Sequence, residues 1–321
     1  MVDGSKKIMS NLLNCFILFV SCFVYGQMDS HIFKNITAAD GLSQHSVNSI
    51  AQDHQGFLWF ATNDGLNKYD GYSFKVFRPD PSDAKAISGR IIQDIQVDPY
   101  ENLWIASLDG GLIHYDSKME VFTNLDTIIP DFGSYANRVS ITLDGVLWVQ
   151  FESKICYAIV RENIKDIVFS SFIDKNLFSN KDQLKRLYVE KDQVFLETKH
   201  SRYNLKYSKT DYTLEGIVLT PELQNNHIAQ ILGPDGAVWD LKKEFVSFRN
   251  HTLNANISAR VTNDSAVVDN EGSLWCVIED RLSVVSITDG QLQKKVVDFE
   301  SLDFLRIKNN RIKSIFLDNT C

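Results

Sequence analysis

An all-β fold built from repeated four-stranded sheets is predicted by three observations on the sequence. A pattern of turn residues and apolar residues recurs every 36–47 residues, and all five tryptophans of the chain occupy the same position in it. Turn residues divide each repeat into four short segments that are rich in β-branched and aromatic side chains, as strands are. None of these segments has the 3.6-residue periodicity of an amphipathic helix. Of the 321 residues, 44% are hydrophobic and 23% are charged, a composition typical of a folded globular chain.

The first repeat shows the order of strands and turns most clearly. The predicted strands are Val47–Gln52, Phe57–Thr62, Leu66–Tyr69 and Ser73–Arg78. The turns contain Asp64-Gly65 and Asp70-Gly71, because Gly tolerates a positive φ and Asp can accept hydrogen bonds from the nearby backbone. The second segment is apolar at successive positions, which predicts a strand that is buried on both faces.

The repeats that follow keep the same anchor position. A close copy spans Asp98–Asp116, and weaker copies end in Leu-Trp, Val-Trp or, once, Val-Phe. The predicted structural anchors are Trp59, Trp104, Trp148, Phe195, Trp239 and Trp275. Four strands in a repeat of this length are typical of one blade of a β-propeller, in which neighbouring sheets bury each other's faces around an axis. The Asp and Gly residues near each anchor are interpreted as turn chemistry and packing, rather than as calcium or carbohydrate ligands.

The end of the sequence predicts an incomplete ring. Residues Arg311–Asp318 resemble the first strand of a further repeat, and Cys321 comes before the expected Gly and Trp. The prediction is therefore about six complete blades plus the first strand of a seventh, with a propeller domain over 27–321 that is truncated in blade seven.

Residues 1–26 have the pattern of an export signal. Lys6 and Lys7 precede a mostly apolar stretch, Ile8–Val24, and cleavage after Gly26 would leave Gln27 as the first residue. A retained membrane anchor is the alternative. Either reading predicts that residues 27–321 lie in the periplasm, or otherwise on the extracytoplasmic side of the inner membrane.

Neither catalytic nor metal-binding motifs are recognisable. The net charge of −8, without a long Lys/Arg run, argues against a nucleic-acid partner. No nucleophile-elbow, phosphate-loop or zinc-protease motif occurs, and the histidines and cysteines lack ligand spacing. No catalytic residue, metal or cofactor is predicted, and Cys156 and Cys276 are expected to be buried strand residues. The ligand-binding residues are not identified, although Tyr72, Tyr100 and Tyr135 are loop aromatics that could stack on a sugar ring.

The first repeat resembles the two-component regulator propeller family. The resemblance rests on Asp40-Gly41-Leu42-Ser43, Val47-Asn48-Ser49-Ile50, Gln52-Asp53, Gly56-Phe57-Leu58-Trp59-Phe60, Thr62, Gly65-Leu66-Asn67 and Tyr69-Asp70-Gly71. It is strong over residues 31–125 and weaker beyond them. The resemblance implies the periplasmic sensor of a hybrid histidine kinase of the Bacteroidetes type, which often senses glycan fragments for polysaccharide utilization.

The same resemblance implies several partners. They are an oligosaccharide ligand, a second propeller, membrane and kinase modules in the full-length protein, and a second copy in a homodimer. This chain itself is not expected to be an enzyme and carries no kinase module. Two alternatives stay open: an exported propeller glycan hydrolase or lyase, and a non-functional gene fragment.

Overall fold

The computed structural model describes residues 36–127, 135–152, 154–172, 184–190, 193–198, 201–210, 212, 214–220, 227–233, 237–297 and 315. The predicted export signal lies outside these residues, as does the predicted strand at 311–318 apart from Ile315. The chain divides into two compact units, Met1–Asn35 and Ile36–Cys321, and the description that follows concerns the second. Within the described ranges, no helix combines the length and the apolar character needed to cross a bilayer.

The described residues form six four-stranded antiparallel sheets, and in each sheet the strands lie side by side in chain order. We call these sheets blades 1 to 6. The strands of blades 1 to 3 are β1 Val47–Gln52, β2 Leu58–Thr62, β3 Gly65–Tyr69, β4 Phe74–Phe77, β5 Ile92–Val97, β6 Leu103–Ser107, β7 Gly111–Asp116, β8 Val121–Asn124, β9 Ala136–Ile141, β10 Val146–Phe151, β11 Ile155–Ile159 and β12 Phe169–Phe172.

The strands of blades 4 to 6 are β13 Leu184–Glu190, β14 Gln193–Thr198, β15 Arg202–Tyr207, β16 Leu214–Thr220, β17 His227–Leu232, β18 Val238–Lys242, β19 Phe245–Arg249, β20 Asn254–Ser258, β21 Val261–Val268, β22 Leu274–Ile278, β23 Arg281–Thr288 and β24 Gln291–Val296. Helical structure in the described part of the chain is limited to three single 3-10 turns, Ala38–Asp40, Leu125–Thr127 and Ile164–Asp166. The predicted all-β fold of four-stranded blades is therefore confirmed.

The first strand of each blade is the innermost one. β1 contacts β5, β5 contacts β9, β9 contacts β13, and β17 contacts β21, so these blades are neighbours in chain order. The second strands form the centres of the blades, and every residue of β6 and β10 is buried, as the apolar segments predicted. The outer strands β20 and β24 alternate between exposed and half-buried residues because only one of their faces packs inward.

Hydrophobic clusters fill the spaces between neighbouring blades. Trp59 packs with blade 2 residues such as Ile95, Trp104 packs with blade 3, and Trp148 packs with blade 4. Trp239 packs in the same way with blade 6. Each of these indoles therefore lies between its own blade and the next one along the chain, where it holds the two sheets together by burial of its large apolar surface.

The two ends of the blades carry different connections. One end, which we call the linker face, holds the β2–β3 type of hairpin and the linkers between blades. The opposite end, the turn face, holds the β1–β2 and β3–β4 types of turn. On the linker face the hairpins and linkers are hydrogen-bonded, since the N–H of Gly65 donates to the carbonyl oxygen of Arg90 at 2.8 Å.

A close backbone approach on the linker face leads to a first prediction. A Cβ added to Gly110, in the hairpin of blade 2, would lie 2.5 Å from the Cα of Gly89 in the linker before that blade. We expect Gly110→Ala to lower the free energy of unfolding by about 1–2 kcal/mol, because the linker must move away. Gly216→Ala is the matched control, since nothing lies within 4 Å of its added Cβ. Equal urea midpoints for the two variants would contradict the prediction.

Candidate functional site

A recurring aspartate clamps the β1–β2 type of turn to the anchor tryptophan. In blade 2, Asp98 Oδ2 accepts a hydrogen bond from Trp104 Nε1 at 2.9 Å, while Oδ1 accepts from the N–H groups of Tyr100 and Asn102. Asp53 and Asp269 bond their own turns and indoles in the same way. These carboxylates are occupied within their own blade, which agrees with the interpretation of the repeated Asp residues as turn and packing residues.

Blades 3, 4 and 5 lack this clamp. The position six residues before the indole holds Thr142 in blade 3 and Gly233 in blade 5. The Thr142 hydroxyl still accepts from the N–H of Val146 at 3.0 Å, but Trp148 Nε1 and Trp239 Nε1 are buried without a hydrogen-bond partner. In blade 4 the anchor is Phe195, which has no N–H to satisfy. The indole donor is therefore satisfied only in the described blades that carry the aspartate.

A β-bulge recurs where five of the inner strands begin, at the linker face. The strand register shifts at Asn48, Gln93, Asn137, Lys185 and Ile228, which are the second residues of β1, β5, β9, β13 and β17. Bulges re-aim side chains and are common beside functional sites. Because the inner strands surround the axis of the fold, the bulges place a set of side chains around one mouth of the propeller.

The residues that directly follow the bulges contact one another from blade to blade. Ser49 hydrogen-bonds Asp94 through its side chain, and Arg138 Nη1 lies 4.0 Å from Asp94 Oδ2. Asp94 Oδ2 also accepts from the N–H of Val139 at 3.2 Å. One carboxylate therefore connects the inner strands of blades 1, 2 and 3.

The chain of contacts continues into blade 4. Leu187, on β13, donates its N–H to Gln150 Oε1 of blade 3 at 2.8 Å. Arg186 follows the bulge of β13, and its Nε donates to Glu197 Oε2 at 2.8 Å. Lys185 Nζ lies 3.4 Å from the other carboxylate oxygen of Glu197. We call Ser49, Asp94, Arg138 and Arg186 the mouth residues.

Burial and charge differ along the mouth residues. The side chain of Asp94 is 10% exposed, and burial raises its pKa even though Arg138 and its hydrogen bonds act in the opposite direction. The side chain of Arg138 is 48% exposed and that of Lys185 is 56% exposed. Arg138 and Lys185 are therefore more exposed than the carboxylates they approach, whereas the side chain of Arg186 is only 19% exposed.

The three tyrosines proposed from the sequence do not come together. Tyr72 lies in the β3–β4 turn and Tyr100 in the β5–β6 turn, both on the turn face, with exposures of 94% and 36%. Tyr135 directly precedes β9 and so lies on the linker face, 56% exposed. Of the three, only Tyr135 is on the same face as the mouth residues.

No cluster of metal-ligating side chains is present in the described ranges. They contain no group of three or more His, Cys, Asp or Glu side chains that could hold a metal ion. Cys156 and Cys276 are buried strand residues with free thiols, as predicted.

The sequence reasoning did not identify the mouth residues, although a signal was present. The pairs Asn48-Ser49, Gln93-Asp94, Asn137-Arg138 and Lys185-Arg186 each place two successive polar residues at the start of an inner strand. A regular strand alternates its faces, so such a pair breaks the expected pattern and indicates a bulge.

The blades, their order and the buried anchors define the protein as a β-propeller. Residues 41–64, which span the first two strands of blade 1, match the family model described as two component regulator propeller. The resemblance drawn from the first repeat is thereby confirmed, and the chain carries the repeat of that family.

The chain is also similar to individual proteins, in sequence to one and in fold to others. A stretch of 70 residues is 47% identical to part of histidine kinase P4 of Formosa agariphila. This stretch makes up 22% of this chain and 5% of that protein. The fold is similar to the extracellular domain of a hybrid two component system from B. thetaiotaomicron, with a TM-score of 0.59 and 20% identity over 89% of this chain and 38% of that one. It is also similar to PorZ of Porphyromonas gingivalis, a surface component of the type-IX secretion system, with a TM-score of 0.53 and 12% identity over 82% of this chain and 34% of that one. The chain thus spans well under half of each of these proteins.

Proposed function

We propose that this chain is the extracytoplasmic sensor propeller of a hybrid two-component signalling protein, and that it binds glycan-derived ligands at the linker face. The observation that carries the proposal is the 47% identity over 70 residues to a histidine kinase, taken together with the regulator propeller repeat at residues 41–64. The fold shared with the extracellular domain of a hybrid two component system supports it. Residues 1–26 would serve as the export signal or as a membrane anchor.

The linker face is the favoured binding surface because its side chains also connect the blades. Asp94 accepts from the Val139 N–H, and Gln150 accepts from the Leu187 N–H, so both tie one blade to the next. A ligand that contacts the mouth residues therefore changes the balance of bonds between blades. Preferential binding to one arrangement would shift the population of states that the rest of the sensor detects. The second propeller, the membrane and kinase modules and a second copy of the chain are the proposed partners.

Binding without turnover is the result that distinguishes a sensor from an enzyme. The full chain is titrated calorimetrically with a panel of neutral and acidic oligosaccharides, and each mixture is then analysed by chromatography for shortened or unsaturated products. We expect saturable binding of at least one oligosaccharide and its recovery intact.

Other outcomes would overturn the proposal. Product formation would favour the hydrolase or lyase alternative. Absence of binding across the panel, with cooperative melting retained, would remove the glycan ligand. Absence of cooperative melting would favour the gene fragment.

A further inference from the structure

Tyr135 is an exposed aromatic side chain beside the mouth of the propeller. It directly precedes the inner strand β9, and it is 56% exposed on the linker face. Within the described ranges its ring makes no aromatic contact and its hydroxyl makes no hydrogen bond. The equivalent positions in blades 1 and 2, two residues before the bulge, hold Ser46 and Ile91. Blade 3 therefore places a flat apolar ring beside the mouth where the two preceding blades do not.

Two half-buried side-chain amides lie at the adjoining bulges. Asn137 is the bulge residue of β9, and Gln93 is the bulge residue of β5. The strands β5 and β9 are in contact, so the two bulges are adjacent across the gap between blades 2 and 3. Tyr135 and Asn137 flank Ala136, whose side chain is fully buried, and both are more exposed than Ala136 is. The aromatic ring and the Asn137 amide therefore lie on the side of the strand that faces away from the core.

The fold does not use the amides of Asn137 and Gln93. Neither amide has a hydrogen-bond partner within the part of the chain that the structure describes. Blade 1 differs in this respect, because the amide of its bulge residue, Asn48, donates to Asn63 Oδ1 and to the carbonyl oxygen of Ile92, both at 2.8 Å. The amides of Asn137 and Gln93 each offer two donors and an acceptor to a molecule at the mouth.

We propose that Tyr135, Asn137 and Gln93 form a binding site for a neutral pyranose residue of an oligosaccharide. This inference rests on the proposed glycan-sensing function and names the class of sugar. A pyranose ring presents C–H groups on its face and hydroxyls around its edge, so its face packs on the tyrosine ring while its hydroxyls reach the amides. A hydroxyl donates and accepts, as an amide does, whereas a carboxylate only accepts and leaves the amide oxygens unpaired. The site therefore favours an uncharged sugar.

The test measures calorimetric binding of galactotriose, cellotriose, mannotriose and trigalacturonate to the full chain. We expect at least one of the three neutral sugars to bind more tightly than trigalacturonate. Tyr135→Ala should weaken the binding of that sugar by about 10-fold, the loss expected when a stacked ring is removed. Tyr135→Phe keeps the ring and should leave the affinity within about 2-fold of the wild type. Tyr72→Ala is the matched control with no expected effect, since Tyr72 is 94% exposed on the turn face.

Gln93→Ala tests the amides separately from the ring. It should weaken binding of the same neutral sugar by about 5-fold, the loss expected for a hydrogen bond between uncharged groups. Gln55→Ala is the matched control, because Gln55 is an exposed glutamine in the β1–β2 turn on the turn face. Thermal melting of every variant checks that the blades remain folded, and we expect the wild-type melting temperature.

The failures of the two proposals are distinguishable. A neutral sugar whose affinity is unchanged by Tyr135→Ala and Gln93→Ala would overturn this site and leave glycan sensing in place, as would binding of trigalacturonate alone. Equal losses from Tyr72→Ala and Tyr135→Ala would also overturn the site, because they would not locate the sugar at the mouth. No binding of any of the four sugars, with cooperative melting retained, would remove both proposals.

Discussion

Asp98→Ala should lower the free energy of unfolding by about 3 kcal/mol, the largest effect expected of a single substitution here. The change removes the acceptor of Trp104 Nε1 and of two backbone N–H groups at once. Asp98 is 1% exposed and Trp104 is fully buried, so water cannot replace these bonds without opening the turn. Asp98→Asn should be intermediate, because only one of its two terminal atoms can accept.

A double-mutant cycle separates the indole bond from the turn. Trp104→Phe removes the donor, so Asp98→Ala should cost about 1–2 kcal/mol less in that background. Blade 3 provides the matched control, because Trp148 Nε1 has no acceptor and Trp148→Phe loses no hydrogen bond. Urea denaturation measures all these variants. An Asp98→Ala cost within about 0.5 kcal/mol of zero would show that the clamp does not stabilise the blade.

Stability should fall on acidification because of His114. Burial lowers the pKa of this histidine from 6.5 to about 4 in the folded protein. Its ring lies edge-on to Trp104, with the ring centroids 4.8 Å apart. Above pH 6.5 the imidazole is neutral in both the folded and the unfolded chain and contributes no pH dependence. Between pH 6.5 and about 4 only the unfolded chain binds the proton, so the histidine's contribution to stability is lost as the pH falls, by about 3 kcal/mol in all.

His114→Phe isolates this contribution. Blade 5 shows that a phenylalanine fits the position, since Phe248 packs on Trp239 with the same 4.8 Å separation of centroids. The unfolding free energies of the wild type and the variant are compared at about pH 7 and about pH 4.5. The carboxyl groups titrate in both proteins, so the difference between the two pH profiles belongs to His114. Parallel profiles would mean that the imidazole is protonated in the folded state.

The strand order and the anchors could be predicted from the sequence because both depend on local patterns. Asp70 Oδ1 accepts from the N–H groups of Tyr72 and Ser73, and Gly71 has a φ of 94°, which is the chemistry expected of an Asp-Gly turn. The outer strands of blades 4 to 6 were harder to predict from the sequence. β20 and β24 pack on one face only, so their apolar content is low and their boundaries are weakly marked.

The mouth residues could not be predicted because they depend on contacts between repeats. Ser49, Asp94 and Arg138 are separated by about one repeat length along the chain, and no single repeat indicates that they touch. Their contact requires both the bulges and the stacking of the blades. The indoles of Trp148 and Trp239, which lack a hydrogen-bond acceptor, could not be predicted either. The presence of Thr142 and Gly233 in place of an aspartate matters only because these tryptophans are fully buried.

Hydrogen–deuterium exchange of the full chain, with and without a saturating oligosaccharide ligand, tests the central claim most directly. The central claim is that ligand binds at the linker face, on the first residues of the inner strands. We predict slower exchange in segments 136–139 and 184–187, with the turns around Tyr72 and Tyr100 unchanged. Protection confined to those turns, or an exchange pattern that the ligand leaves unaltered, would contradict it.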